Sequence, residues 1–280
     1  MLSYRHAFHA GNHADVFKHY VLILVLDYFN QKPAPYWVID THAGAGMYAL
    51  KSEFAQKNAE FENGIAQLIN AKNLPESLQN FVDLINSFNQ NNQLNFYPGS
   101  PKIAQSYLRK GDKLRLFELH PSDCKILLEN FSERNRQTKI EMQDGFAGIK
   151  ACLPPLTKRA VVLIDPPYEL KDDYLRVVNC VKECLKRFAT GTYCVWYPLL
   201  QRPEPAIMVE KLMPLSASWL QVEMTVQAPS EDGYGMHGSG MFIINPPYIL
   251  PKILDEIMPL LTKILALDET AEYQVTSQIN

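Results

Sequence analysis

A chain of 280 residues, 47% of them apolar and 20% charged, has room for one large α/β domain with an elaboration or for two small domains, and its make-up is that of an ordinary soluble globular protein. A formal net charge of −3 excludes a global basic field, so a nucleic-acid partner would need a local patch. The five cysteines are odd in number and show no CxxC pairing, which favours buried thiols. The first residues lack the apolar stretch of a signal peptide and no apolar run approaches a membrane span, so a cytoplasmic protein is expected.

In chain order, a polar and aromatic arm (1–13) precedes a helix over residues 14–29, with apolar Val16, Val21, Leu22, Val25, Leu26 and Phe29 at helical spacing. His6, His9, His13 and His19 crowd this region. His9 and His13 have a one-turn spacing that would suit zinc, but no cysteine or carboxylate cluster completes it. Hydrogen-bonding or ligand roles are expected instead, and no metal. After Lys32-Pro33-Ala34-Pro35 comes a short strand, Tyr36-Trp37-Val38-Ile39, and then Asp40-Thr41-His42-Ala43-Gly44-Ala45-Gly46. Strand, acid and glycine-rich turn is the layout of a nucleotide-type binding loop, although a plain tight turn has the same residues. The third glycine of a dinucleotide fingerprint is missing, which argues against hydride transfer.

Residues 47–93 read as helical, with amphipathic stretches around 65–68 and 78–85, and predict an inserted helical subdomain at about 47–95. Tyr97-Pro98-Gly99-Ser100-Pro101 is a turn opening a helix to about Arg109, with Ser100 as its N-cap. The second strand, 114–117, ends in Glu118, whose carboxylate suits the two hydroxyls of an adenosine ribose. Pro121 opens a helix, and residues 140–142 lead to Asp144-Gly145, an acid that could accept from an adenine amino group or simply make a turn.

The fourth strand, Val161-Val162-Leu163-Ile164, is a buried apolar run that stops at Asp165-Pro166-Pro167-Tyr168. Ligands of open α/β sheets bind outside the carboxyl ends of strands, and the prolines, lacking N–H groups, leave acceptors unspent there. A helix at 172–188 follows, whose Lys182, Lys186 and Arg187 read as a solvated face rather than an RNA track. Further strands are expected at 192–196, 220–226 and 241–244, with a helix at 206–212. The glycine-rich loop 229–240 could form a lip over the site, and the tail after Leu267 should fray. The rival tetrapeptide Asn245-Pro246-Pro247-Tyr248 follows the last strand. If that strand is antiparallel it points away from the cofactor loop, and the motif is a strand terminator.

An exocyclic amino group is a poor nucleophile because its lone pair is delocalised into the base. A catalyst must accept its two N–H hydrogens and aim the freed lone pair at an electrophilic methyl, and the Asp165 carboxylate and Pro166 carbonyl are adjacent acceptors of that kind. Tyr168 would offer a flat face to the base.

Asp165-Pro166-Pro167-Tyr168 resembles the catalytic motif of S-adenosylmethionine-dependent amino-methyltransferases, and Asp40-x-His42-x-Gly44-x-Gly46 resembles their cofactor loop. With the blocks Ser3–Asp15, Tyr97–Pro101, Glu118–Asp123 and Lys186–Tyr193, the chain resembles the RlmJ family of bacterial large-subunit ribosomal RNA adenine-N6 methyltransferases over nearly its whole length. The resemblance implies a Rossmann-like α/β methyltransferase fold, with a mostly parallel seven-stranded sheet whose last strand is antiparallel. It implies that Asp165, with Pro166 and Tyr168, is catalytic, and that His19, His42, Ser100, Glu118, Asp144 and Gly145 contact the cofactor, with Lys18 close by and Asp40, Gly44 and Gly46 forming its loop. Tyr4, together with His6 and Tyr168, would touch substrate. The implied cofactor is S-adenosylmethionine, leaving as S-adenosylhomocysteine, and the implied partner is 23S rRNA stripped of ribosomal proteins, methylated by a monomer. Glu231 and Asp232 depart from an RNA-facing pattern in their loop. A DNA adenine or protein glutamine methyltransferase and a non-catalytic RNA-binding protein are the alternatives. The lack of an appended DNA-recognition domain and the intact Asp40, Gly44, Gly46 and Glu118 weigh against them.

Overall fold

The computed structural model describes residues 6–51, 59–91, 93–132 and 136–279. Its framework is an eight-stranded sheet. In chain order the strands are β1 (Trp37–Asp40), β2 (Met47–Ala49), β3 (Phe96–Pro98), β4 (Lys113–Phe117), β5 (Thr138–Glu141), β6 (Ala160–Ile164), β7 (Thr192–Leu199), β8 (Trp219–Thr225), β9 (Gly238–Ile244) and β10 (Glu272–Gln278). The sheet order is β10-β8-β9-β7-β6-β1-β4-β5, while β2 and β3 pair separately as a ribbon.

The five strands β5-β4-β1-β6-β7 are parallel, and their sequences show why. Each is joined to the next by a helical crossover, and β6, the central Ala160-Val161-Val162-Leu163-Ile164, is buried at every position because helices cover both faces. β9 runs antiparallel to β7, and β8 antiparallel to β9. This is the Rossmann-like α/β arrangement with a reversed strand at one side, and seven of its eight strands match the expectation.

The eighth is a correction. Residues 272–278 do not fray but add β10 to the edge, antiparallel to β8 in a seven-residue register. The preceding helix Leu250–Leu265 is also absent from the sequence reading: Pro251 and Pro259 disguise a stripe in which Leu250, Leu254, Ile257, Met258, Leu261 and Leu265 are buried. That helix packs back on the sheet and delivers the last segment to the edge of β8.

Two apolar layers flank the sheet. On one side lie the first helix, His13–Asn30, the helix Leu250–Leu265 and the helices of the 59–91 segment. On the other lie Gly145–Cys152, Lys171–Arg187 and Glu204–Leu212. The first helix is buried on nearly every side, including Asp15, Lys18 and His19. The region expected to be wholly helical holds the helices Ile65–Asn70 and Glu76–Ser87, but its two ends close as the β2–β3 ribbon, with Met47 opposite Pro98. The other boundaries agree with the periodicities to within a few residues. No described helix is long and apolar enough to cross a membrane.

Candidate active site

Four adjacent parallel strands each end in an acid at the same edge of the sheet: Asp165 after β6, Asp40 closing β1, Glu118 after β4 and Asp144 beyond β5. Between these ends and the start of the first helix lies a cavity of about 430 Å³. Parallel strands put their carboxyl ends side by side, so four acids remote in sequence converge without any of them being near another along the chain.

Around β1 the loop is tightly tied. Asp40, 1% exposed, accepts from the His42 backbone N–H at 3.1 Å and from the Ser100 hydroxyl at 2.7 Å. Burial pushes its carboxyl up to about 6, with the Ser100 bond opposing. Ser100 is therefore not the N-cap expected of it. Gly99 holds that position, and the hydroxyl is spent on Asp40. Gly44 sits at φ +58°, and a Cβ there would collide with the Tyr48 hydroxyl, which accepts from the Ala45 N–H at 3.2 Å. Tyr48, on β2, thus roofs the glycine turn.

The Thr41 hydroxyl donates to the Leu163 carbonyl at 3.1 Å, so at 2.8 Å it accepts from His42 Nδ1. That fixes the tautomer with Nε2 as acceptor, and burial pushes the His42 imidazole down to about 3.

Glu118 uses both oxygens on backbone: Oε2 accepts from Gly44 N at 2.7 Å and Oε1 from His120 N at 2.7 Å. Burial raises its carboxyl above the usual range, against those two bonds. Asp144 caps the helix Gly145–Cys152 through Phe146 N at 2.9 Å and pairs with Arg176 at 2.8 Å. A Cβ on Gly145 would run into the Thr41 carbonyl, so only glycine lets this turn lie against the cofactor-type loop. Arg176 also covers the Phe146 ring at 4.6 Å, and the His42 ring meets Phe146 edge-on at 4.9 Å. Arg176 carries no signature in the sequence that would have singled it out.

At the Asp165 corner, Lys18 reaches across 147 residues of sequence to place Nζ 2.7 Å from Asp165 Oδ2. The same ammonium lies 2.9 Å from Asp15 Oδ1 and 5.7 Å from the centre of the Trp196 ring. Burial would depress Lys18, but the two carboxylates outweigh it and hold the ammonium above the ordinary lysine value. Among the described residues, neither Asp165 Oδ1 nor the Pro166 carbonyl takes a hydrogen bond. Both residues line the cavity, and two acceptors on consecutive residues are left unspent there.

Tyr168 borders the cavity but is only 4% exposed, so it is a wall rather than the open platform expected of it. Its hydroxyl donates to the Trp196 carbonyl at 2.6 Å, its ring packs on Tyr174 at 4.5 Å, and Arg202 donates to its carbonyl at 3.3 Å. These ties hold a non-glycine residue at φ +51°, a conformation that costs about 1–2 kcal/mol.

His19 bonds Tyr97 at 2.8 Å, and burial pushes it down to about 3. His6 lies in a short turn, His6–Phe8, and bonds Asp15 Oδ2 at 2.8 Å, while His9 reaches Glu60 at 2.9 Å. Tyr4 lies outside the described residues. The Lys182, Lys186 and Arg187 face belongs to the far end of a helix whose first turns touch the cavity, and Lys186 pairs with Glu183 at 2.6 Å. From the loop 229–240, Met236 lines the cavity.

At Asn245 the arrangement is inverted. Because β9 is antiparallel, Ile244 pairs with Tyr193 at the beginning of β7, and the second tetrapeptide emerges at the opposite edge of the sheet.

A Rossmann-like sheet with a reversed strand, an acid at each of four neighbouring strand ends and an Asp-Pro-Pro-Tyr corner together define a methyltransferase. The family model described as "Ribosomal RNA large subunit methyltransferase D, RlmJ" matches residues 33–278. The chain belongs to this family. It is 45% identical over 260 residues to "Ribosomal RNA large subunit methyltransferase J" of Escherichia coli (strain K12), covering 92% of each chain. To the protein of the same name in Haemophilus influenzae it is 44% identical over 277 residues, covering 98% of each. Among solved structures, protein LPL1258 from Legionella pneumophila superposes with a TM-score of 0.89 at 34% identity, over 96% of this chain and 98% of that one.

Proposed function

We propose that this methyltransferase uses S-adenosylmethionine to methylate the exocyclic N6 of an adenine in 23S rRNA free of ribosomal proteins. The observation that carries this reading is the pair of unspent acceptors, Asp165 Oδ1 and the Pro166 carbonyl, on consecutive residues that line a cavity partly closed by the first helix. An amino group with two N–H hydrogens matches two adjacent acceptors. Accepting both weakens the conjugation of nitrogen with the ring and exposes its lone pair.

The residues fit the cofactor. Gly44 and Gly145 let Tyr48 and the Thr41 backbone pack tightly against the loop beside the cavity, and the acids around it suit a ligand rich in hydroxyl and amino donors. Glu118 would hold the ribose hydroxyls and Asp144 the adenine amino group. His42, Ser100, His19 and Lys18 would border the remainder, while Asp40 and Gly46, which do not line the cavity, would shape the loop behind it. When bound, the cofactor supplies an electrophilic methyl on a sulfonium. Asp165 then holds the amino group through Oδ1, while Lys18 retains Oδ2 and keeps the carboxylate from turning away. The proton leaves N6 as the methyl arrives, so Asp165 needs only to align the group and take up, or pass to water, a proton that has become acidic.

His6 and Tyr4 in the arm, with Tyr168 as a wall, would frame the extruded base. The helices within residues 47–95 would act as an inserted subdomain on the RNA side, and the protein would work as a monomer in the cytoplasm.

The test is tritium transfer from labelled cofactor to a protein-free 23S rRNA fragment, digested to nucleosides. Label in N6-methyladenosine, uncompeted by duplex DNA, is expected. Label in DNA, or in glutamine of a protein substrate, would replace the substrate class. Calorimetry without cofactor binding would revive a purely RNA-binding role.

A further inference from the structure

Asp15 stands one helical turn before Lys18 and is 1% exposed. Its two oxygens are divided. Oδ1 takes the Lys18 ammonium at 2.9 Å, while Oδ2 takes His6 Nε2 at 2.8 Å and the Gly11 backbone N–H at 3.0 Å. Its own N–H donates to the Asn12 side chain that caps the helix. This carboxylate is therefore fixed by the helix start, whereas Asp165, on a proline corner, depends on Lys18 for one oxygen and leaves the other unspent.

Given the function proposed above, on which this step rests, we infer that Asp15 is a positioning residue for methyl transfer: it holds Lys18 from behind so that the ammonium takes Asp165 Oδ2 alone. A lysine ammonium on a flexible stem with one carboxylate partner can swing round that partner and bridge both of its oxygens. A second, rigid carboxylate on its other side pins the nitrogen between the two, and Asp165 then meets it with one oxygen only. The position also explains why a buried acid is tolerated in the first turn of a helix buried on nearly every side. Burial opposes its ionisation, but His6 and Lys18 outweigh that and hold the Asp15 carboxyl well below the usual range.

Without Asp15, Lys18 becomes a buried cation with a single counter-ion and closes on Asp165 as a one-to-one pair, turning Oδ1 away from the amino group. Cofactor binding should survive, since Glu118 and Asp144 lie on other strands.

The experiment is single-turnover methyl transfer to protein-free 23S rRNA together with calorimetric S-adenosylmethionine affinity, for wild type and Asp15→Asn. The expected result is a rate lower by about tenfold or more, the loss of one charge-assisted hydrogen bond, with cofactor affinity within about twofold of wild type. An unchanged rate overturns the inference. So does a parallel loss of rate and cofactor binding, which is what a merely structural carboxylate would give. If Asp15→Asn does not fold, Asp15→Glu reads the same link, since it keeps the charge but displaces Lys18 by one methylene. A reduced rate with cofactor affinity kept supports the role, and a wild-type rate overturns it. Wild type without any transfer to RNA would instead sink the function reading itself, and this inference with it.

Discussion

The chain carries an Asn/Asp-Pro-Pro-Tyr corner twice, and the two corners have opposite surroundings. At Asp165 the strand runs toward the cavity, one carboxylate oxygen is held by Lys18 and the other is unspent, and the Tyr168 ring is buried with its hydroxyl tied to the Trp196 carbonyl. At Asn245 the strand runs the other way. The side-chain amide donates to the carbonyls of Ala189 and Gly191 at 2.8 Å each, and its oxygen accepts from Ser216 at 3.3 Å. Tyr248 is 70% exposed and meets the Tyr28 ring edge-on. The backbone is strained in both, but at different places: φ is +51° at Tyr168, where several ties hold it, and +52° at Asn245, a residue type that enters this region readily. The same Pro-Pro-Tyr frame, led by an amide in one setting and a carboxylate in the other, thus makes a structural lock in the first and presents free acceptors in the second. Strand direction and the neighbour of the first side chain decide which.

The sharpest way to break the comparison is to truncate the first side chain of each corner. Asp165→Ala should reduce single-turnover methyl transfer by about 10²–10³-fold, far beyond any loss of folded protein. Asn245→Ala should leave the rate within about twofold but destabilise the fold by about 2 kcal/mol, because the Ala189 and Gly191 carbonyls lose their donor. A rate loss in Asn245→Ala larger than its loss of folded protein would contradict the assignment.

The corners should also respond differently to acid. The Asn245 bonds involve only amide, hydroxyl and carbonyl groups, so none titrates. The helix that carries Lys18 also carries His19, neutral and 1% exposed, with its imidazole pushed down to about 3 by burial. A depressed folded-state value means that the unfolded chain binds the proton first. This stability is present above about pH 6.5 and is lost as pH falls from there toward 3, by about 2 kcal/mol for His19 at pH 5. Thermal melts should show His19→Gln less sensitive than wild type between pH 7 and pH 5. Equal sensitivity would remove His19 from the account.

Smaller effects belong to the two tyrosines. Tyr168→Phe deletes the donor to Trp196 and should cost about 1 kcal/mol of stability and a few-fold in rate as the corner loosens. Tyr248→Ala, at an exposed ring, should change stability by less than about 0.5 kcal/mol and leave the rate alone, by the same two assays.

Much of this contrast was legible in the sequence. The apolar run before Asp165 announced a buried strand, and strand-end placement marked Glu118 and Asp144 before any contact was visible. Position in the chain separated the two tetrapeptides, because a last strand in this fold is reversed. The unread parts depend on contacts between distant segments. The resemblance puts Lys18 beside the cofactor but shows neither its pairing with Asp165 nor the part of Asp15, because the helix also carries His13, His19 and Asp27 and nothing in the spacing marks the two until Asp165 is brought over Lys18. The hydroxyl of Ser100 fits a helix cap equally well until Asp40 lies 2.7 Å away. Pro251 and Pro259 hid a helix whose burial stripe overrides their cost, and β10 exists only because that helix returns the chain to the edge of β8.

The central claim is that the Asp165 corner, and not the Asn245 corner, is where an adenine amino group meets its methyl donor. Mass mapping of 23S rRNA from cells lacking this chain, after adding back wild type, Asp165→Ala or Asn245→Ala protein, tests it most directly. Wild type and Asn245→Ala should restore one methyl group on one adenine, and Asp165→Ala should not. Restoration by Asp165→Ala, or its loss in a folded Asn245→Ala protein, would contradict the claim.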